Sequence, residues 1–507
     1  MDHLLGRARR RRDDRPGPGP RAPVRPVRRT GLHAGRLDAI VVGAGPNGLA
    51  AAITLARAGR AVRVYEAASA AGGETRTAEL TLPGFRHDVC STILPLTIAS
   101  PFFASIDLAA RDVELIHPDA PVAHPLDGGR AAVLERSVTA TGDGLGGDDG
   151  RAWRRLFGPL VRDTRKLGTE LLQPVVHVPR HPLALARFGL PALRSARGLA
   201  RGRFADEAAR ALFGGISAHA MLRLDRPLSA SFGLVLATYA HAVGWPMVRG
   251  GANGVADALV AELEAVGGQI VTGHRVGSLA DLPPARAVLL DVTPRQLVAI
   301  GGDRLSPRTR RRAEGFRYGS GVFKVDWALD GPVPWAAEGP RRAATVHLGG
   351  TLDEIAAAEA DVAAGRHPDR PYVLFVQYAP WDTTRAPAGK TTAWAYCHVP
   401  AGSSVDMTER IEAQVERFAP GFRDRILARA TTAPAAMEAY DENYVGGDIN
   451  GGIQDIRQLI FRPWPALDPY RVGTGLYLCS SSTPPGGGVH GMSGMLAARS
   501  ALRRELR

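Results

Sequence analysis

Apolar residues recur along this chain as short runs, alternations and helical stripes, and its elements follow from them. Residues 39–42 (Ala-Ile-Val-Val) form an unbroken apolar run, the pattern of a strand buried on both faces. An alanine-rich helical stretch covers about residues 49–58, with Gly59 placed to end it, and 61–65 read as a second strand. Farther on, apolar runs at 121–126 and 131–134 flank Asp127-Gly128-Gly129-Arg130, a hairpin signal. Residues 141–150, rich in glycine and aspartate, predict a linker, and 152–172 then carry helical periodicity broken at Pro174. In 182–204, Arg187, Arg194, Arg197, Arg201 and Arg203 interleave with Leu183, Leu185, Phe188, Leu190, Leu193 and Leu199. That pattern predicts a basic amphipathic helix, broken by Pro191 and nearby glycines, facing either a membrane surface or the protein core. A glycine turn at 250–254 leads into an amphipathic helix over 255–266, a strand at 269–272 and another at 287–292 that exits through Thr293-Pro294. Residues 318–330, 372–379 and 391–399 read as antiparallel strands, and 408–418 as a helix ending before Pro420.

The first two strands gain meaning from what joins them. Gly43-Ala44-Gly45-Pro46-Asn47-Gly48 is a G-x-G-x-x-G turn, and Glu66 stands at the carboxyl end of the second strand, eighteen residues after Gly48. Gly43 permits the tight turn, Gly45 lets the backbone approach a pyrophosphate, and Gly48 lets helix and strand pack closely. The helix N-terminus offers N–H groups and a positive dipole end to phosphates, and Glu66 can accept from ribose hydroxyls. The whole βαβ frame predicts a dinucleotide site, and the acid disfavours a 2′-phosphate, so NADP is not expected there. FAD and NAD remain undivided by this motif.

Later residues divide them through a resemblance. Residues 71–77 (Ala-Gly-Gly-Glu-Thr-Arg-Thr), 83–88 (Pro-Gly-Phe-Arg-His-Asp) and the strand, glycine loop and helix start at 475–494 resemble the phytoene desaturase-like group of FAD-dependent oxidoreductases. Within it the chain is most similar to the bacterial and mitochondrial branch labelled pyridine nucleotide-disulfide oxidoreductase domain-containing, over residues 37–502. The resemblance implies an α/β fold of the amine oxidase/desaturase type: a discontinuous Rossmann-like FAD-binding domain (37–100, 245–300 and 440–507) and an α+β substrate domain (101–244 and 301–439). It further implies FAD lined by Gly43, Ala44, Gly45, Pro46, Asn47, Gly48, Glu66, Ala67, Gly73, Arg76, Val276 and Val489. The helix opening near residues 491–494 is expected to turn its positive end toward the flavin. A lipophilic small-molecule substrate, polyene-like or a secondary metabolite, and quinone or oxygen as electron acceptor complete the expectation.

Composition changes this picture little. At 507 residues, 45% hydrophobic and 22% charged, the chain has the make-up of a globular enzyme. Its +13 net charge is concentrated in residues 1–36, where eleven Arg stand against three Asp. That Pro/Arg-rich tail is expected to be disordered, with an anionic-surface tether as the alternative. Lysine occurs only at Lys166, Lys324 and Lys390, a bias toward Arg that fits GC-rich coding better than selected phosphate contacts, so nucleic-acid binding is not expected. The three cysteines, Cys90, Cys397 and Cys479, form no CxxC, which excludes a redox-active dithiol. The expected location is cytoplasmic, with peripheral membrane contact through 182–204.

No catalytic residue or metal site is expected from spacing. His490 is a candidate for either a flavin-facing or a loop hydrogen-bonding role; His219 and His241 read as core histidines. Lys324 reads as a strand residue facing solvent or an ion pair. No aromatic pair flanking a flavin-facing site is identifiable, which disfavours amine oxidation. Three readings stand: a desaturase or dehydrogenase, a flavin-dependent double-bond isomerase, and a lipid- or protein-binding relative resembling Rab escort proteins.

Overall fold

Residues 37–507 are described by a computed structural model, and the tail expected at 1–36 lies outside the described residues. Strand β1 (Leu37–Val42) runs into helix α1 (Pro46–Arg57) and strand β2 (Val62–Tyr65), as the glycine turn predicts. They belong to a six-stranded sheet in the order Arg471–Gly473, Leu476–Leu478, Ala285–Leu290, β1, β2, Gln269–Val271. All neighbours pair in parallel except the Arg471–Gly473 edge; Val41 lies opposite both Leu289 and Val64. Ile40 and Val41 are completely buried because helices cover both faces. α1 packs so tightly on the C-terminal helix Met492–Arg504 that a Cβ on Gly494 would overlap the Asn47 carbonyl oxygen.

A seven-stranded mixed sheet is built from seven others: Ile426–Thr432, Gly321–Leu329, Thr391–Val399, Val373–Gln377, Ala343–Leu348, Ala120–Leu126 and Arg130–Leu134. The hairpin expected around Asp127 forms with Val122 opposite Leu134, and the helix at Thr408–Phe418 has the expected bounds. One face of this sheet, with Val325, Phe375 and Ala395, buries Ile411, Val415 and Phe418 of that helix. The opposite face, with Val376 and Trp394, carries a helical cap including Glu207–Ser217 and Ser229–Ala242. Double coverage explains why these strands read as apolar runs.

Residues 141–150 are not a linker. Helix Val138–Leu145 occupies the start, capped by the Ser137 hydroxyl on the Thr139 and Ala140 amides, and the next helix begins at Gly147. Gly146, at φ +71°, makes the corner between them. The helix expected over 152–172 is two, Gly147–Arg162 and Thr164–Leu171; Pro159 sits inside the first. Residues 182–204 also break in two, Pro182–Ala192 and Ala196–Arg203, with Ser195 capping the second. Among the described residues, no helix is long and apolar enough to cross a membrane.

Candidate functional site

A cleft of about 380 Å³ lies at the carboxyl ends of β1, β2 and the Ala285–Leu290 strand. The expected residues Gly43, Gly45, Pro46, Asn47, Glu66, Ala67, Gly73, Arg76 and Val276 all line it. Gly43 turns the chain at φ +99° and its amide donates to the Tyr65 carbonyl at 2.8 Å. Gly45 precedes α1, and Gly73, at φ +51°, approaches so closely that its Cβ would lie 3.1 Å from the Gly45 Cα. Ala44 and Gly48 stand behind the wall instead. The Ala44 amide donates to Glu66 at 2.7 Å, and a Cβ on Gly48 would overlap the Gly43 carbonyl oxygen. Val489 lines a second cavity rather than this cleft.

Glu66 is held by the Ala44 amide, by the Ala68 amide at 2.8 Å, and by Arg76 at 3.7 Å. Four cleft acids, Glu74, Asp291, Asp441 and Glu442, went unrecognised as such in the sequence. Asp291, just past the Ala285–Leu290 strand, accepts the Gly48 amide at 2.7 Å; Asp441 accepts from the Asn443 amide at 2.9 Å. The position of Asp291 at a strand's carboxyl end was the available signal; for Asp441 there was none. Burial raises the Asp291 carboxyl well above its ordinary range, against the pull of the Gly48 amide, and burial likewise raises Asp441. Glu74 is pushed up to about 7 by burial and by Asp441. A raised proton affinity at these acids weakens the repulsion that a ring of carboxylates would exert on an anionic ligand.

Glu74 and Ile449 also line the second cavity, of about 210 Å³, so the two spaces meet there. Its walls are mostly apolar, with Ile93, Leu96, Leu236, Val322 and Leu374 beside Trp245, Trp394 and Tyr396. Trp394 and Tyr396 stack with centroids 5.9 Å apart and planes at 21°, an aromatic pair the strand 391–399 did not reveal as a site feature. Alternation along Thr391–Val399 turns both toward the helical cap.

Lys324 does not face solvent. Its side chain is 2% exposed, lines this cavity, and its ammonium donates to both Asp326 oxygens at 2.5 Å and to the Asp88 carbonyl at 3.2 Å. The ion-pair alternative was the right one. Asp88 itself is buried against Arg385 at 3.1 Å and takes further bonds from Thr77, Thr92, Tyr378 and the Ala252 amide. Burial would raise this carboxyl, but Arg385 and these donors hold it below its ordinary value. His219 is a cavity-wall residue as well as a core one: its Nε2 is 2.9 Å from His347 Nε2, and burial lowers its affinity for protons to a pKa of about 3. His241 is a core histidine accepting from the Trp153 indole at 3.1 Å. His490 takes the loop role, with Nε2 3.0 Å from the Gly486 carbonyl and Nδ1 accepting the Met492 amide at 3.0 Å. The Cys90 thiol lines the second cavity but is pushed up to about 12, chiefly by burial, so it is no thiolate nucleophile.

Comparison with known proteins agrees with this fold. The model for the NAD(P)-binding Rossmann-like domain matches residues 41–105. Pyridine nucleotide-disulfide oxidoreductase domain-containing protein 2 of Rattus norvegicus is 25% identical, over 92% of this chain and 93% of its own length. Among solved structures, an oxidoreductase from Methanosarcina mazei superposes with a TM-score of 0.60 at 17% identity, covering 92% of this chain and 100% of that one. Putrescine oxidase bound to putrescine gives 0.59 at 19% identity, covering 93% and 99%. The chain therefore has a Rossmann-like nucleotide-binding domain and shares the mixed α/β fold of these two oxidoreductase structures.

Proposed function

We propose that this chain is an FAD-dependent oxidoreductase that dehydrogenates a C–H bond of a lipophilic small molecule held in the second cavity. One observation carries the reading: the cleft built on the G-x-G-x-x-G turn and Glu66 runs to Glu74 and Ile449, where the apolar cavity begins. The residues fit the cofactor. Gly45 leaves the backbone open beside the N-terminus of α1, where a pyrophosphate is stabilised, and Asn47 Oδ1 is buried without a partner among the described residues. Glu66 is placed to accept ribose hydroxyls, and the raised proton affinity of Asp291 and Asp441 lessens the repulsion an anionic ligand would meet. A bound flavin supplies a two-electron acceptor for hydride. The chain's own residues orient the substrate against it: apolar walls exclude water, and the stacked Trp394 and Tyr396 offer a flat face.

The cavity of about 210 Å³ is small beside the roughly 300–1,000 Å³ of common ligand sites, which favours a compact substrate over a full-length polyene. The names of the putrescine oxidase neighbour and the rat relative support oxidoreductase chemistry. Quinone or oxygen as the acceptor and peripheral membrane contact belong to the same proposal. The test is to purify the protein, record its visible spectrum, and add candidate substrates without oxygen. An oxidised-flavin spectrum bleached by a substrate is the expected result. A flavin that never bleaches, while its reduced form converts a substrate, would replace the reading with an isomerase; no flavin after reconstitution would overturn it.

A further inference from the structure

Glu74 is the one titratable side chain among the described residues that lines both the cleft and the second cavity. Its charged neighbours are otherwise engaged. Glu66 is bound by two amides and Arg76, Asp291 by the Gly48 amide, and Asp441 by the Asn443 amide. The Lys324 ammonium is neutralised by Asp326. Cys90 and Tyr444, the remaining titratable groups at the junction, are both held in their neutral forms by burial. The Glu74 carboxyl forms no side-chain hydrogen bond or ion pair among the described residues, and the residue lines both spaces. A carboxyl left unpaired in an apolar cavity costs free energy, and substrate chemistry is what such a group is suited to.

We propose that Glu74 is the proton acceptor of the reaction, and that the oxidised carbon of the substrate carries an N–H or O–H group. The inference rests on the oxidoreductase reading above and narrows its substrate class to amines and alcohols. The balance is simple. The C–H bond breaks with both electrons leaving as hydride to the two-electron acceptor, a flavin; the N–H or O–H proton passes to the Glu74 carboxylate; a C=N or C=O double bond forms. Hydrocarbon desaturation would instead take its proton from carbon, for which an isolated carboxylate is a poor base. The value of about 7 for Glu74, set by burial and Asp441, lets it exchange protons at neutral pH.

The experiment has two readings on the flavin-loaded protein. First, infrared difference spectra are recorded while pH is stepped through neutrality. A carboxyl titration near neutral pH that Glu74→Gln removes is expected; its absence from the parent protein overturns the proposal. Second, anaerobic flavin bleaching by cyclohexylamine, putrescine and hexan-1-ol is followed against pH, with a hydrocarbon polyene as control. Bleaching by an amine or the alcohol is expected to slow at least ~100-fold in Glu74→Gln, with the acid limb of the pH profile lost and FAD occupancy unchanged. Glu74→Asp is expected to recover part of the rate and the limb. An unaltered rate and limb in Glu74→Gln, or bleaching by the polyene alone, overturns it. Failure to bind FAD at all is a different result and removes the oxidoreductase reading instead.

Discussion

Two glycines of the first turn separate fold from site. A Cβ on Gly48 collides with the Gly43 backbone carbonyl, which cannot move without unmaking the turn. Gly48→Ala is therefore expected to destabilise the whole chain by about 1–3 kcal/mol, read as a lowered melting temperature. At Gly45 a Cβ meets only the Asp291 carboxyl at 3.2 Å and the backbone φ is an ordinary −72°, so Gly45→Val is expected to fold. Its branches fill the approach to the pyrophosphate, and the variant is expected to purify without flavin; full FAD occupancy would remove the site assignment. Glu74 supplies a third expectation at this scale. Its folded-state pKa lies above the ordinary 4.5, so the folded protein holds the extra proton and loses stability as pH rises from about 4.5 through about 7. Glu74→Gln removes that loss. The flavin-free variant is expected to melt above the parent at alkaline pH and together with it below about pH 4.5, as thermal scans across pH would read.

Between elements, the tight points are the helix pair and the buried ion cluster. The Gly494 contact lets α1 and Met492–Arg504 touch backbone to backbone, so Gly494→Leu is expected to spread the helices and lower the melting temperature. Asp88 and Arg385 tie the segment after the second glycine motif to the Thr383–Arg385 turn through a salt bridge, with both side chains nearly inaccessible. Removing one partner leaves a buried charge, so Arg385→Met is expected to cost about 3–5 kcal/mol in denaturant unfolding. Because Asp88 is held below its ordinary 3.8, its contribution is present above that pH and lost as pH falls through the depressed value. Asp88→Asn is expected to be less stable than the parent near neutrality, with the gap closing in acid. Strand and helix placement was largely legible at this scale, since 391–399 and 408–418 follow from apolar period alone. The error at 141–150 has a local cause: glycine and aspartate signal a turn, but the Ser137 cap and burial of Thr141 and Gly142 make that stretch helical.

Across the whole molecule, the basic helix pair at 182–203 shows how far charge pattern alone misleads. Arg187 pairs with Asp163, and Arg197 and Arg201 both with Asp353, so much of its positive charge is met within the protein. Leu183, Leu190 and Leu193 nevertheless stay exposed, at 78%, 72% and 54%, with Val178 at 90%. The proposed membrane contact therefore leans on apolar insertion more than on charge. Co-sedimentation with anionic vesicles is expected to fall sharply in Leu190→Ser/Leu193→Ser and to resist added salt; no binding by the parent would end that proposal. The βαβ frame, the glycine turn and Glu66 were legible along the chain, because backbone sterics and phosphate approach act over a few neighbouring residues. The sequence also carried five of the second sheet's seven strands, while Ala343–Leu348 and Ile426–Thr432 were not read from it. Only the tertiary structure brought Asp291, from 243 residues after Gly48, onto that turn, and set Asp441 beside Glu74. Proton affinities are set by burial and by distant charges, which neither period nor spacing encodes; the junction of cleft and cavity at Glu74 follows from packing alone.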